Sequence, residues 1–162
     1  MNFTHSSSSP PTSPGAAASE QTAPRLDTTG VSSAAIAVAN LETAVADERA
    51  GAVVSFAGIV RNHDHGRAVT SLTYESHPTA NVVLAEIVRA AHQRPGVIRA
   101  TAAHRVGSLA IGELAFAVAV SSAHRDEAFA ACAWLVDEVK SRLPVWKHQI
   151  FADGSTEWVN CA

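Results

Sequence analysis

Apolar positions recur along this chain in two rhythms, every second residue and every third or fourth, and both begin only after residue 30. AVVSFAGIV over 52–60 is β-branched and aromatic and predicts a buried strand. VTSLTYES over 69–76 predicts a second strand, with the polar stretch RNHDHGR between them as a loop holding a glycine turn. VIRATAAHRVG over 97–107 alternates well enough for a third, and ELAFAVAVSS over 113–122 for a fourth, largely buried strand. VWKHQIFA predicts a further strand, Asp153-Gly154 a hairpin turn, and TEWVN the partner that closes the sheet.

The helical rhythm appears three times. Pro78 opens a segment whose Val82, Val83, Ala85, Ile87, Val88 and Ala91 form a mainly apolar face, ending near Arg94-Pro95-Gly96. In 123–142, Ala128, Cys132, Leu135, Val139 and then Leu143 recur at three- and four-residue spacing, so this face packs on the sheet. Asp126 and Glu127 suit the positive end of that helix, and Pro144 stops it. Nearer the start, VSSAAIAV over 31–38 reads as a first strand, and Asn40 as the N-cap of a short helix, LETAVADERA, ended by Gly51. Strands, hairpins and helices mixed in this way predict an α+β class, a mostly antiparallel sheet packed by helices in one globular domain over 30–162. Residues 1–29, rich in Ser, Pro, Thr and Ala, cannot repay the entropy of ordering and are expected to form a disordered tail. Deleting them is expected to leave melting temperature and activity nearly unchanged.

Composition narrows the function classes. The 162 residues are 47% hydrophobic and 17% charged, enough for one sizeable core, and the formal net charge of −3 argues against a broad nucleic-acid surface. Any anion site must then be local, built from a few convergent cations. No apolar run reaches membrane-spanning length, and the N-terminus lacks the basic-then-apolar order of a signal peptide. Cys132, on the apolar side of the long helix, and Cys161, expected to be exposed, make no disulfide framework and fit a reducing cytoplasm.

The cations themselves are uneven. Ten positions are arginine and only Lys140 and Lys147 are lysine, seven residues apart. An ammonium on a flexible stem can lose its proton and attack an electrophile, whereas a guanidinium cannot. Lys140 lies beside the Val136–Val139–Leu143 stripe, where partial burial is expected, and Pro144 turns the chain so that Lys147 comes back near the same helix end. His124-Arg125 sits where a strand passes into a helix, whose outward N–H groups favour an anion. Arg61, leaving a buried strand, could supply a third cation or be a rim arginine with a solvated head. His63 and His65 suggest a metal, but no Cys-x-x-Cys or helical His-x-x-x-His completes a ligand set. No Gly-x-Ser-x-Gly elbow supports a serine nucleophile either. The residues by themselves describe a small anion pocket with two lysines, and leave the reaction open.

GIVRNHDHG, LTYESHP, HRVGSLAIGE, SSAHRDEAF and VKSRLPVWKHQ with a final WV, in that order over roughly residues 50–160, resemble the large, catalytic subunit of molybdopterin synthase. The resemblance implies a cytoplasmic enzyme of molybdenum cofactor synthesis. Its reaction inserts two sulfurs into cyclic pyranopterin monophosphate to form the molybdopterin dithiolene. The sulfur arrives as a thiocarboxylate on the C-terminal Gly-Gly of a small ubiquitin-like subunit, so no metal or other cofactor is implied. Two large subunits form a homodimer core with one small subunit at each end of a heterotetramer. Lys140 matches the family's essential lysine and Lys147 its second active-site lysine. Arg61, His124 and Arg125 match residues that hold the phosphate and line the pocket, some of them reaching in from the neighbouring subunit. Ile59, Val60, His148 and Gln149, which flank Arg61 and Lys147 in the matching motifs, are candidate substrate contacts. Many members have a lysine where this chain has Ile59, and an acidic residue where it has Gln149, so the substrate contacts are expected to differ in detail. A module that docks the ubiquitin-like partner without turnover is the alternative, as is a phosphate-ligand enzyme unrelated to sulfur.

Overall fold

The structure, a computed structural model, describes residues 28–160. Residues 1–27 of the expected tail, and Cys161, lie outside the described residues. The elements in chain order are β1 (Gly30–Ser32), α1 (Val38–Val45), β2 (Ala52–Ile59), β3 (His63–Asp64), β4 (Arg67–Ser76), α2 (Ala80–Ala91), β5 (Val97–Arg105), β6 (Gly107–Leu109), β7 (Leu114–Ser122), α3 (Arg125–Arg142), β8 (Val145–Phe151) and β9 (Thr156–Asn160). The class is α+β, with every strand pairing antiparallel except β1 on β5.

The strands make two sheets where the sequence predicts one. The first runs β1-β5-β7-β2; the second runs β3-β4-β8-β9, with β6 also on β4. Alternation along β5 and β7 divides the first sheet's faces. Ala102, Phe116, Val118 and Val120 join α2 and α3 in the main core, whereas Ala103, Ala117 and Ala119 pack under Leu41 and Val45 of α1. The alanines suit this face because a small side chain lets α1 lie close to the strands. The predicted stripe of α3 is observed, with Ala128, Cys132, Leu135 and Val139 buried and Leu143 continuing it past the helix end.

The start of the domain differs from expectation. Only Gly30–Ser32 of the 31–38 stretch pairs as strand, and α1 begins at Val38 with Ala37, not Asn40, at its N-cap. Asn40 lies inside the first turn, its N–H donating to the Ala37 carbonyl at 3.0 Å. Alanine disfavours a strand, which is why the pairing stops at Ser32, and packing of Leu41 and Val45 on the sheet sets where the helix begins. The hydroxyls of Thr28 and Thr29 both lie 2.9 Å from Thr101 Oγ1. Truncation after residue 27 is therefore the neutral cut.

Gly51 follows α1 rather than ending it, and its N–H donates to the Ser122 carbonyl at 3.0 Å. A Cβ there would sit 2.3 Å from the Ala123 carbonyl oxygen, on the segment that leads into α3. Gly51→Ala is expected to cost about 1–3 kcal/mol through this clash, read as a lower midpoint of urea unfolding. An unchanged midpoint would show that the β7–α3 junction yields without cost.

Candidate active site

Three elements converge where the two sheets meet. At the end of β2 the register slips between Gly58 and Ile59, a bulge that turns the chain away from β7. Val60 is then anchored by its N–H to the Glu113 carbonyl at 2.9 Å and buried with Leu72, Leu109 and Ala115, which carries Arg61 into the second sheet. The last turn of α3 brings Lys140. Pro144 breaks the helix after Leu143, and β8 starts immediately, placing Lys147 opposite Tyr74 of β4. Strand alternation puts Val145, Lys147, Gln149 and Phe151 on the inward side and Trp146 on the other, as the sequence predicts.

Between these elements lies a cleft with two lobes. One, of about 290 Å³, is lined by Tyr74, His104, Phe116, Lys140 and Lys147 among others; the second, of about 410 Å³, extends past Val60, Arg61 and Gln149. Phe56, Gly58, Ile59, Tyr74, Lys140 and Lys147 line both. The two lysines singled out by their rarity therefore share one cleft, with Ile59, Val60, Arg61 and Gln149 on its wall. Lys140 is exposed, not partly buried as expected, because Val139 and Leu143 take the covered side of this turn.

The lysines are held differently. Lys147 Nζ donates to Asp64 Oδ2 at 3.0 Å, Gln149 Nε2 donates to the same oxygen at 2.8 Å, and Arg61 Nη2 donates to Oδ1 at 2.6 Å. Burial alone would raise the Asp64 carboxyl, but the bonds from Gln149, Lys147 and Arg61 outweigh it and hold it well below the usual carboxylate range. Among the described residues no carboxylate pairs with Lys140. One amine is thus fixed by a buried counter-charge, and the other is left free at the mouth of the cleft.

Asp64 did not stand out in the sequence. The stretch 61–67 reads as a solvated loop, whereas His63–Asp64 pairs with Arg67–Ala68 in a hairpin. Its two turn residues, His65 and Gly66, have φ of 46° and 79°, the conformation a two-residue turn between twisted strands requires. The available signal was the acid itself, three residues after Arg61 and just before His65-Gly66. His104, buried in the wall of the cleft, was likewise missed inside an alternating strand.

Other predicted site residues lie elsewhere in this chain. His124 is the N-cap of α3 and Arg125 its first residue, both exposed. Sixteen residues of helical rise separate His124 from Lys140, roughly 24 Å, so the pair does not reach the cleft of its own chain. His148 is on the outward face of β8, its ring stacked on Trp158 at 4.5 Å, and does not face the cleft. His63 and His65, exposed on the hairpin, belong to no group of three metal-type ligands among the described residues. A free amine, a buried acid and a polar cleft with aromatic walls can bind an anion at one end and present a nucleophile or proton donor at the other.

Comparison with known proteins identifies the family. The family model described as "MoaE protein" matches residues 31–142. The molybdopterin synthase catalytic subunit of Escherichia coli is 44% identical over 110 residues, 67% of this chain and 73% of that one. Among solved structures, molybdopterin synthase from Staphylococcus aureus superposes with a TM-score of 0.75 at 31% identity, covering 82% of this chain and 96% of the other. A complex of subunits 1 and 2 of the molybdopterin-converting factor from Helicobacter pylori shares the fold, with a TM-score of 0.64 at 20% identity over 82% of this chain and 89% of that one. The family-model match, the sequence identities and the shared fold agree: this chain belongs to the MoaE protein family.

Proposed function

We propose that this chain is the catalytic subunit of a molybdopterin synthase. It inserts two sulfurs from a thiocarboxylated, ubiquitin-like small subunit into cyclic pyranopterin monophosphate to form the dithiolene. The observation that carries the reading is the convergence of Lys140 and Lys147 in one cleft, one amine free and the other tied to Asp64. Lys140 is the amine that activates or stabilises the acyl group as sulfur leaves the thiocarboxylate. Lys147 and Arg61, both anchored on Asp64, supply fixed positive charge for the phosphate. Gln149 shapes the site through Asp64, and Ile59 and Val60 form its apolar wall. Sulfur comes from the partner, so the reaction needs no resident cofactor.

The small partner is supported by the name of the Helicobacter pylori structure, a complex of two different subunits. Its extended Gly-Gly end suits a narrow cleft, since residues without side chains can pass close to Ile59 and Tyr74. His124 and Arg125 can serve only the cleft of a second copy, which favours a homodimer as the core of the assembly. The family reading sets this reaction in the cytoplasm.

The test is calorimetric titration with a small ubiquitin-like sulfur carrier ending in Gly-Gly, beside the same protein lacking those two residues. Binding that depends on the Gly-Gly end supports the reading, and no binding of either form overturns it. A non-catalytic docking module would bind the same partner and leave the pterin unchanged. The free Lys140 in the cleft favours turnover over that alternative.

A further inference from the structure

Strand β5 carries one residue its surroundings do not explain. His104 is 6% exposed in an otherwise alanine-rich run, where an imidazole costs more to bury than the alanines beside it. Alternation places it on the face of Ala102, with Phe116 directly across the ladder, and not on the α1 face of Ala103. Its ring stacks on Phe116 at 5.7 Å and meets Tyr74 edge-on at 5.1 Å. Nδ1 lies 2.9 Å from the Arg105 carbonyl, and a carbonyl only accepts, so Nδ1 carries the proton. That leaves Nε2 as a bare lone pair. Among the described residues no hydrogen bond reaches Nε2, and His104 lines the cleft together with Lys140.

The imidazole stays neutral in use. Burial pushes its pKa down to about 4, the bond to the Arg105 carbonyl opposes this in part, and the charge of Lys140 adds to the lowering. A neutral, oriented acceptor against aromatic rings, with ammonium groups farther along the same cleft, fits a flat heterocycle bearing a ring N–H at one end and an anion at the other.

We infer that His104 is a substrate-contacting residue whose Nε2 accepts a hydrogen bond from a ring N–H of the bound pterin. The inference rests on the pterin reading of the cleft and assigns to His104 the end of the ligand opposite its phosphate. It separates the residues that recognise the heterocycle from the cations that hold the anion.

The experiment titrates cyclic pyranopterin monophosphate into wild-type chain, His104→Phe and His104→Gln. Phenylalanine keeps the stacking and removes the acceptor, and glutamine restores an acceptor without the ring. The expected result is a dissociation constant raised on the order of tenfold in His104→Phe, because the ligand N–H is left unpaired, with part of the loss recovered in His104→Gln. Wild-type affinity in a folded His104→Phe overturns the role of His104 and leaves the pterin reading standing. Failure of the wild type to bind overturns the pterin reading, and this inference with it. A second readout does not depend on the variants folding: nitrogen NMR of histidine-labelled wild type. The unprotonated Nε2 resonance of His104 is expected to shift on ligand addition while its Nδ1–H signal persists. An Nε2 resonance that does not move at saturating ligand overturns the contact.

Discussion

Lys140→Arg is expected to lower turnover by roughly a thousandfold while melting temperature and small-subunit binding stay near wild type. The side chain is exposed in the last turn of α3, its backbone is held by the helix, and no ion pair among the described residues depends on it. Arginine is as good a helix former and preserves the positive charge, so the substitution alters little beyond chemistry. What it removes is an amine that can release a proton and bond to carbon. Partner affinity measured beside turnover separates the two effects. Near-normal turnover would show that Lys140 contributes only charge.

Asp64→Ala is expected to be the most destabilising change in the cleft, costing about 3 kcal/mol. The carboxylate is 8% exposed and accepts from Lys147, Gln149 and Arg61, so its removal strands the buried Gln149 amide and the 20%-exposed Lys147 together. Arg61 adds little to that figure, being 63% exposed and screened by water. Arg61→Ala should therefore shift the urea midpoint only slightly and act mainly on pterin binding. The same carboxylate gives the fold an acid dependence. An unfolded aspartate protonates near pH 4, whereas Asp64 in the folded chain stays ionised to lower pH. Its contribution is then complete above about pH 5 and is lost as pH falls below 4 toward the folded-state pKa. Asp64→Asn should be less stable than wild type at neutral pH, with the difference narrowing under acid. A constant difference across that range would mean that Asp64 stabilises without being charged.

Asp64 also bears on Gln149. The family resemblance leads one to expect an acid two residues after the second lysine, and this chain has an amide there. The cleft is not short of an acid for that reason: Asp64 on the neighbouring hairpin faces Lys147, and Gln149 donates to it. The negative charge sits on β3 and the hydrogen-bond donor on β8.

Where patterns were strong, the sequence already showed the structure. The alternation of β2 and β8 and the three- and four-residue stripe of α3 come from burial on one side of an element, and the unbroken apolar run of β7 from burial on both, and the residue pattern records each directly. The Ala/Ser stretch before α1 had no such contrast, and tertiary packing placed its boundary. Two sheets instead of one could not be read because pairing partners are far apart in sequence, and the bulge at Gly58–Ile59 was marked only by a lone glycine inside the strand. The lysines were legible by type and spacing. Asp64 and His104 were not, since each owes its role to depth of burial, and a polar residue in a polar loop or an alternating strand carries no sign of depth. His124 and Arg125 were legible as a helix-start pair, yet the length of α3 keeps them from the cleft of their own chain.

The most direct test of the lysine cleft as a sulfur-transfer site is a reconstituted turnover assay. Purified chain is mixed with a thiocarboxylated small subunit and cyclic pyranopterin monophosphate, and the dithiolene product is assayed beside Lys140→Ala. Product from wild type, and none from the variant with the small subunit still bound, is the predicted result. No product from wild type with the partner bound would contradict the account and leave a docking module in its place.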